Sequence, residues 1–573
     1  MTLTKRWIIA VPDPTAAALA ASLGVPLPIA QVLANRGHRD AESARRFLNP
    51  RLQQLTDPFE LPDMAPAVDR LLSAIGRKQR IVIYGDYDVD GVTSSALLFK
   101  VLSAAGATVV NFLPHRIEEG YGLSPQGIAR CLSEHTSQLL VAVDCGTSSA
   151  REIDGLTRQG VDVIVLDHHE PAAELPRCVA LVNPKTQTLR HSDTQAPWFP
   201  LASVGVSFKL AHALQKRGRE RKLPWAESLD LRHHLDLVAA GTVADIVPLT
   251  GENRVLVRAG LERLPRTQKV GLRALMEIAG VRDRVNPHQI GFRIGPRLNA
   301  AGRLGDAMAA LELLLTENAE RARELAGQLN EHNAKRQQVE ERITEEALAM
   351  ARDCAGDRVV VLAREGWHVG VIGIVASRIQ QEFYRPTVII GVEGEMGKGS
   401  CRSIAGFSII EALAHCAPLL ERFGGHEMAA GLTVKAEKVG ELRRALNEYA
   451  AGRLKEEDCL PPLRVDAETR LDELDERLLE QLERLEPCGA GNPSAVFAVR
   501  GVRLRGTPRV VGKDHWKFDV TDGSKTVEGI WFGAAERELP RAGFDVAFVP
   551  ELNEYAGART IQLRVRDVRP CNS

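Results

Sequence analysis

The spacing of apolar and polar positions changes character several times along the 573 residues. Residues 1–50 carry short stripes at helical spacing and read as a small helical segment. From about residue 68 the pattern becomes strand, loop, helix, repeated. RIVIYG (80–85), LLVAVDCG (139–146) and VDVIVLDHH (161–169) are β-branched apolar runs of the kind expected for buried parallel strands. Leu97, Leu98, Val101, Leu102 and Ala105 form a helical stripe after the first of them. This alternation predicts an α/β fold with a parallel, doubly wound sheet. Residues 230–265, including LRHHLDLVAAGTVADIVPL, are helix-like. Residues 317–352 contain no proline and only Gly327, and predict one long helix between two domains. A second α/β unit follows in VVVLAREGWHVGVIGIVASRI and PTVIIGV, with two glycine-rich loops after it. An acidic helical segment (467–486) leads into EPCGAGNP, and short β runs such as FAVRGVRLRG, TVEGIWFG and IQLRVRDV predict a small C-terminal barrel.

Composition narrows the picture without deciding it. The 73 Lys+Arg against 74 Asp+Glu exclude a chain coated in positive charge, so any nucleic-acid contact must be a local groove. Nine cysteines, an odd number with no CxxC pair, fit neither a disulfide framework nor a zinc ribbon and point to a reducing compartment. The N-terminal apolar run is broken by Pro12 and Pro14, which makes a poor signal peptide. No apolar run approaches the ~20 residues of a membrane span. A cytoplasmic protein is expected.

Three strand ends carry metal-type ligands: Asp86, Asp88 and Asp90, then Asp144, then Asp167, His168 and His169. Ligands gather beyond the carboxyl ends of strands in an open parallel sheet, so these residues are expected to converge. Asp236, in LRHHLDLVAAGTVAD, is expected to close the site. Carboxylates suit Mg²⁺, and histidine among them tilts the choice toward Mn²⁺. Two such cations would offset the charge, activate a water and orient a phosphate. A lone Asp at a strand end usually caps a helix, but capping does not account for three consecutive strand ends. DxDxDG opens like a calcium loop, yet the twelfth position is Leu97 where that loop needs Glu.

The combination of DYDVDG, VDCG, DHH and HLDLVAAGTVADIVPL resembles the DHH phosphoesterase superfamily, over nearly the whole chain, and in particular its single-strand-specific 5′→3′ exonucleases. The resemblance implies metal ligation by Asp88, Asp90, Asp144, His168 and Asp236, with Asp144 bridging two metals. It places His169 on the scissile phosphate and Asp167 as an orienting group; Asp86 belongs to the same acidic run. Many members carry His four residues before the first motif Asp. Tyr84 stands there, so one metal would lack a histidine ligand, a loss that Asp86 or water would offset.

GKGSCRS (397–403) reads as a phosphate-binding loop with Lys398, Ser400, Arg402 and Ser403; it is not a Walker loop, because position 392 is Val. GGHEMAAG (424–431) adds a glycine turn with His426. The pair resembles the DHHA1 domain that accompanies DHH, and implies that Ser400 and Arg402 hold the 5′-terminal phosphate. GFRIGPRLNAAGRLGDA (291–307) matches a motif of the same exonucleases and offers Arg297 and Arg303 as phosphate contacts. Six Lys/Arg between Arg500 and Lys517, near Trp516, Phe518, Trp531 and Phe532, suggest a single-strand track on the barrel, which the resemblance implies is an OB-fold. QKRGRERK (215–222) is a further candidate contact, and Cys145 reads as buried packing.

The expected organisation is therefore an N-terminal helical segment (1–50), a DHH catalytic domain (51–316), a long helix (317–352), a DHHA1 domain (353–455) and an OB-fold nucleic-acid-binding domain (456–573). The expected activity is two-metal (Mn²⁺ or Mg²⁺) 5′→3′ exonuclease hydrolysis of single-stranded DNA to mononucleotides, in recombination and repair. The strand is expected to thread between the DHH and DHHA1 domains. A helicase and a single-strand-binding protein are expected partners. Two alternatives stay open: an oligonucleotide or cyclic-dinucleotide phosphodiesterase, and a non-catalytic replication scaffold.

Overall fold

The structure, a computed structural model, describes residues 4–571 apart from 117, 121, 187–199, 305, 355, 541 and 556–557. The chain forms two compact units. One is Arg46–Ala334 with Leu485–Pro493; the other is Met1–Arg45, Lys335–Arg484 and Ser494–Ser573.

The unit built on Arg46–Ala334 carries a five-stranded, wholly parallel sheet. Its order is Thr108–Phe112, Arg80–Gly85, Leu139–Val143, Asp162–Leu166, Ala180–Val182. Both faces are covered, which is why the inner strands are unbroken apolar runs. Ile81, Ile83, Leu139, Val141 and Val143 pack into the larger core, whereas Val82, Tyr84, Leu140 and Ala142 pack on the opposite face. Strand order reverses at Arg80–Gly85, which lies between the strands that follow it in sequence. That reversal opens a crevice at the carboxyl ends of Arg80–Gly85 and Leu139–Val143. Tyr84 is on the far face, its hydroxyl donating to the Gly122 carbonyl at 3.1 Å, so it does not face the crevice.

EPCGAGNP is part of this unit rather than a linker. The buried guanidinium of Arg254 donates to the Phe47, Leu485 and Glu486 carbonyls at 2.9, 2.8 and 2.8 Å. Gly489 and Gly491 lie so close to Leu249 and Pro248 that an added Cβ would sit 2.8 Å from each.

The other unit holds a mixed sheet, in the order Leu420–Gly425, Ala429–Lys435, Met396–Arg402, Thr387–Glu393, Val360–Glu365. GKGSCRS is therefore not a loop: most of it is the central strand Met396–Arg402, with its backbone committed to both neighbours. Its glycines make room for cover, since a Cβ at Gly397 would lie 2.7 Å from Ile390 and one at Gly399 2.8 Å from Leu432. A closed five-stranded barrel follows: Phe497–Val511, His515–Thr521, Thr526–Trp531, Ala558–Pro570 and Phe544–Tyr555, the last pairing back to the first. Ala319–Arg352 is one helix of 34 residues. The N-terminal segment holds three helices, but it begins with a strand, Arg6–Ile9, paired in parallel with Pro462–Val465. No single helix among the described residues is long and apolar enough to cross a membrane.

Candidate metal centre

The first strand ends at Gly85, and Asp86-Tyr87-Asp88 turns at once into helix Val89–Ala104. Asp88 caps that helix, its Oδ1 accepting from the N–H groups of Asp90 (2.9 Å) and Gly91 (3.1 Å). Glycine is required at 91, where a Cβ would lie 2.4 Å from the Asp86 carbonyl. The acidic loop is thereby folded onto the first helical turn. Asp144 leaves the adjacent strand with φ 63°, an uncommon conformation for a residue with a Cβ. Such strain costs about 1–3 kcal/mol and persists only where surrounding structure enforces it. Here the Asp144 N–H donates to the Leu166 carbonyl (2.9 Å) and its Oδ1 accepts from the Ser203 hydroxyl (2.9 Å).

Asp167 works through its neighbours. Its Oδ1 accepts from the His168 N–H (2.7 Å) and pairs with His169 Nδ1 (2.7 Å), while Oδ2 accepts from the Thr147 N–H (3.0 Å). His168 Nε2 then lies 3.3 Å from Asp245 Oδ2, 3.6 Å from Asp144 Oδ1 and 4.0 Å from Asp90 Oδ2. Three overlapping groups have ligand atoms within 4.8 Å of one another: Asp86, Asp88, Asp144; Asp144, His168, His169; and Asp90, His168, Asp245. Asp144 and His168 link two poles.

Asp245 is the residue that sequence reasoning missed, and Asp236 does not join the cluster. Asp236 accepts from the Thr267 hydroxyl (2.6 Å) and from the Lys269 ammonium (2.8 and 3.0 Å). Both Asp residues border one helix, Leu235–Ala244, nine positions apart. Nine residues rotate about 180° and rise about 13 Å, so only one of them can face the site. The signal for Asp245 is Gly241, four residues earlier. A Cβ there would lie 2.4 Å from Thr93 Oγ1 and 3.1 Å from Asp90 Oδ1, so this face packs on the acidic helix.

The electrostatics are those of a cation site. Burial, then the neighbouring Asp88 charge, holds the Asp86 and Asp144 carboxyls well above their usual range. The same two causes push Asp90 up to about 7, against two backbone N–H donors at Ser203 and Val204. Burial, then Asp90 and Asp88, pushes Asp245 up to about 9. Burial lowers His168 to about 3, which keeps its imidazole neutral and able to donate a lone pair. Burial also pulls on His169, but the Asp167 carboxylate at Nδ1 outweighs it, and the ring is pushed up to about 9. Asp86 Oδ1, His168 Nε2 and Asp245 Oδ2 are buried with no hydrogen bond. Hard oxygen donors, one neutral imidazole and these unpartnered atoms fit Mn²⁺ or Mg²⁺. Two dications would cancel four of the charges on Asp86, Asp88, Asp90, Asp144 and Asp245, while protonated His169 balances Asp167.

This arrangement predicts a pH effect. At pH 7 the metal-free folded chain holds protons on Asp245 and His169, and part of one on Asp90, that the unfolded chain has released, so its stability falls as pH rises to 9. Divalent metal displaces the protons on the ligands Asp90 and Asp245, and apparent affinity rises by up to about tenfold per pH unit for each proton displaced. Melting temperatures in chelator should fall from pH 7 to 9, and the upward shift with Mn²⁺ should grow. A Mn²⁺ shift that does not change with pH would contradict the assignment.

The remaining candidates divide. In GFRIGPRLNAAGRLGDA, Asn299 Oδ1 accepts from the Val89 N–H (3.1 Å), and Gly302 lies against Tyr87, so the motif buttresses the acidic loop. Arg303 is adjacent to that contact. Arg297 donates to Asn330 Oδ1 (3.0 Å) and to the Arg293 carbonyl (2.6 Å), a structural role. A π-helical turn, Ile290–Ile294, precedes it and leaves Phe292 71% exposed, stacked on His288 at 4.5 Å. Sequence reading took no account of this platform. In the other unit Arg402 donates to the Ser377 and Ser400 hydroxyls (3.1 and 3.3 Å). Ser403 is spent on the Phe407 carbonyl (2.6 Å), and His426 stands exposed in a hairpin turn. Phe518 and Trp531 belong to the barrel core, Trp516 donates to the Arg537 carbonyl (3.0 Å), and Phe532 alone of the four is broadly exposed. Arg503, Arg509 and Lys513 have no ion-pair partner among the described residues, whereas Arg500 and Lys517 pair with Glu468 and Glu528. The 215–222 cations are mostly paired, Lys216 with Asp57, Arg217 with Glu220, Arg219 with Glu227 and Arg221 with Asp69. Cys145 is buried, and burial raises its thiol far above reactive values.

A parallel sheet with acidic and DHH strand ends around a two-cation site defines a DHH-type phosphoesterase. Three family profiles match: "DHH family, N-terminal domain" over residues 80–242, "DHHA1 domain" over 356–452 and "RecJ OB domain" over 465–567. The single-stranded-DNA-specific exonuclease RecJ of Bacillus subtilis is 38% identical, over 98% of this chain and 70% of that protein. RecJ of Dickeya dadantii is 36% identical over 95% of this chain and 96% of its own. The crystal structure of Thermus thermophilus RecJ with Mn²⁺ superposes with a TM-score of 0.85 at 32% identity, covering 99% of this chain and 80% of that one; the same protein has also been crystallised with Mg²⁺. The chain belongs to the RecJ family of single-stranded-DNA-specific exonucleases.

Proposed function

We propose that this chain hydrolyses single-stranded DNA from the 5′ end to mononucleotides, with two divalent cations, Mn²⁺ or Mg²⁺, held by Asp86, Asp88, Asp90, Asp144, His168 and Asp245. The observation that carries the reading is the continuity of the three ligand groups through Asp144 and His168. Bound there, the cations supply Lewis acidity toward the phosphate and lower the pKa of water. The chain's own groups do the rest. Asp144 and His168 set the spacing of the two poles. Asp167 fixes the His169 tautomer, so protonated Nε2 faces outward, where it can donate to a phosphate oxygen whose charge grows during hydrolysis. Ser203 and the backbone of helix Ser203–Glu220 hold Asp144 and Asp90 from behind.

Ser400 and Arg402 bind the 5′-terminal phosphate as side chains on a strand. Gly373, in the first turn of helix Ile372–Phe383, leaves space beside them: a Cβ there would lie 3.1 Å from Ser400 Oγ and 3.4 Å from Arg402 Nη2. That helix start has no side-chain cap and no acidic residue, as an anion site requires. Phe292 on His288 stacks a base of the strand, Arg303 contacts a phosphate, and Phe532 with Arg503, Arg509 and Lys513 forms the track on the barrel. An enzyme restricted to single strands works behind a strand-separating helicase and alongside a single-strand-binding protein, in recombination and repair. The alternatives, an oligonucleotide or cyclic-dinucleotide phosphodiesterase and a non-catalytic scaffold, are not favoured, because the similarity to RecJ exonucleases runs through the barrel and the acidic and histidine motifs are present.

The test is degradation of end-labelled single and double strands, with 5′-phosphate or 5′-hydroxyl ends, in Mn²⁺, Mg²⁺ or chelator. Loss of the 5′ label as mononucleotide from phosphorylated single strands only, abolished by chelator, is expected. Arg402→Ala should remove most of the preference for a 5′-phosphate. Phe292→Ala should lower kcat/KM at least about fivefold, the low end of one base–aromatic stack, without lowering the melting temperature. Equal attack on duplex, or release of the 3′ label first, would overturn the reading.

A further inference from the structure

A cavity of about 900 Å³ lies in the Arg46–Ala334 unit, away from the metal centre, at the opposite end of helix Leu235–Ala244, where Asp236 lies. That volume is within the range of small-molecule sites, roughly 300–1,000 Å³. Six cations line it: Arg51, Lys100, Arg258, Arg263, Arg266 and Lys269. Three acids face them, Asp236, Glu262 and Glu317, and two of those are already engaged. Asp236 holds Lys269 at 2.8 Å, and Glu262 holds Arg258 at 3.1 Å. Lys100, Arg263 and Arg266 have no hydrogen-bond or ion-pair partner among the described residues.

A cavity that gathers unpaired cations around a hollow is short of an anion. Lys100 shows the strain most directly. It is half-buried on helix Val89–Ala104, and burial, then the charge of Lys269, pulls its ammonium below the ordinary range despite the opposing charges of Glu317 and Asp236. Two ammoniums held together at a partly buried wall gain most from a ligand with several acceptor oxygens and more than one negative charge. Guanidinium groups at Arg263 and Arg266 add planar, bidentate donors, the geometry that phosphate oxygens match. We propose that this cavity is a binding site for a phosphate-bearing ligand, separate from the metal centre and from the Ser400–Arg402 site. Asp236, the residue that sequence pattern assigned to a metal, belongs to this second site, where it positions Lys269.

The experiment is calorimetric titration of pyrophosphate into full-length, metal-free Arg402→Ala protein, so that neither the cation cluster nor the other phosphate site contributes. One saturable equivalent is expected. Lys100→Gln with Arg266→Gln should weaken it at least about tenfold. Arg151→Gln with Arg158→Gln, which removes equal charge from an exposed helix of the same unit, should leave it unchanged. Competition by a 5′-mononucleotide would identify free nucleotide as the source of the phosphate; competition only by a 5′-hydroxyl oligonucleotide would identify the strand. No saturable binding, or equal weakening by the two double variants, overturns the proposal. The readout is binding without metal, so it stands or falls separately from the exonuclease reading.

Discussion

Asp144→Ala should lower Mn²⁺-dependent cleavage of single strands by at least about 10³-fold, equivalent to several kcal/mol of lost transition-state charge stabilisation. The expectation rests on position. Asp144 is the residue shared by the Asp86–Asp88 group and the His168–His169 group, so its removal opens both poles together. The fold should not suffer. In the metal-free protein Asp144 is a buried carboxylate crowded by Asp88, Asp90, Asp86 and Asp245, and alanine removes that repulsion. The lost Ser203 hydrogen bond and alanine's poorer fit at φ 63° oppose that relief, so the melting temperature in chelator should stay near the parent's, while the upward shift on adding Mn²⁺ should disappear. Circular dichroism melts beside a nuclease assay separate the two effects. Activity within tenfold of the parent would remove Asp144 from the reaction.

The second large effect separates two aspartates that look alike in sequence. Asp245→Ala should cost at least about 10²-fold in kcat at saturating Mn²⁺, because it removes one carboxylate from the group it forms with Asp90 and His168. Asp236→Ala should leave Mn²⁺ dependence in place and instead cost about 3 kcal/mol of stability, since it strands the Lys269 ammonium beside an unpaired Thr267 hydroxyl. Denaturant melts and kcat measured on both variants decide the matter. If Asp236→Ala lost metal dependence while Asp245→Ala kept it, the ligand assignment would have to be exchanged.

That pair also shows how far the sequence could be read. The three acidic strand ends were legible because a buried parallel run ending in a carboxylate, three times over, is what a ligand-gathering sheet edge produces and helix capping alone does not. HLDLVAAGTVAD was harder: it offers two acids on one helix, and which face meets the sheet depends on Gly241 touching Thr93, a contact between segments almost 150 residues apart. GKGSCRS failed for a related reason. Glycines that relieve a loop and glycines that make room for Ile390 and Leu432 look the same along the chain. Arg6–Ile9 is too short to declare itself, and its partner strand starts at Pro462. Phe292 read as one more apolar position in a helix; the π turn that buries Ile290 and Ile294 leaves it in solvent. The barrel aromatics went the other way, since alternation along a strand does not reveal which face closes inward, and Phe518 and Trp531 point to the core.

Counting bound metal in the purified chain probes the chemistry at its source. Equilibrium dialysis against Mn²⁺, with metal and protein assayed in the same sample, should find two ions per chain in the parent and fewer than one in Asp144→Ala, with nuclease activity rising as the sites fill. Undiminished cleavage by protein stripped of all divalent metal, or a parent chain that binds none at Mn²⁺ concentrations supporting cleavage, would contradict the two-cation mechanism.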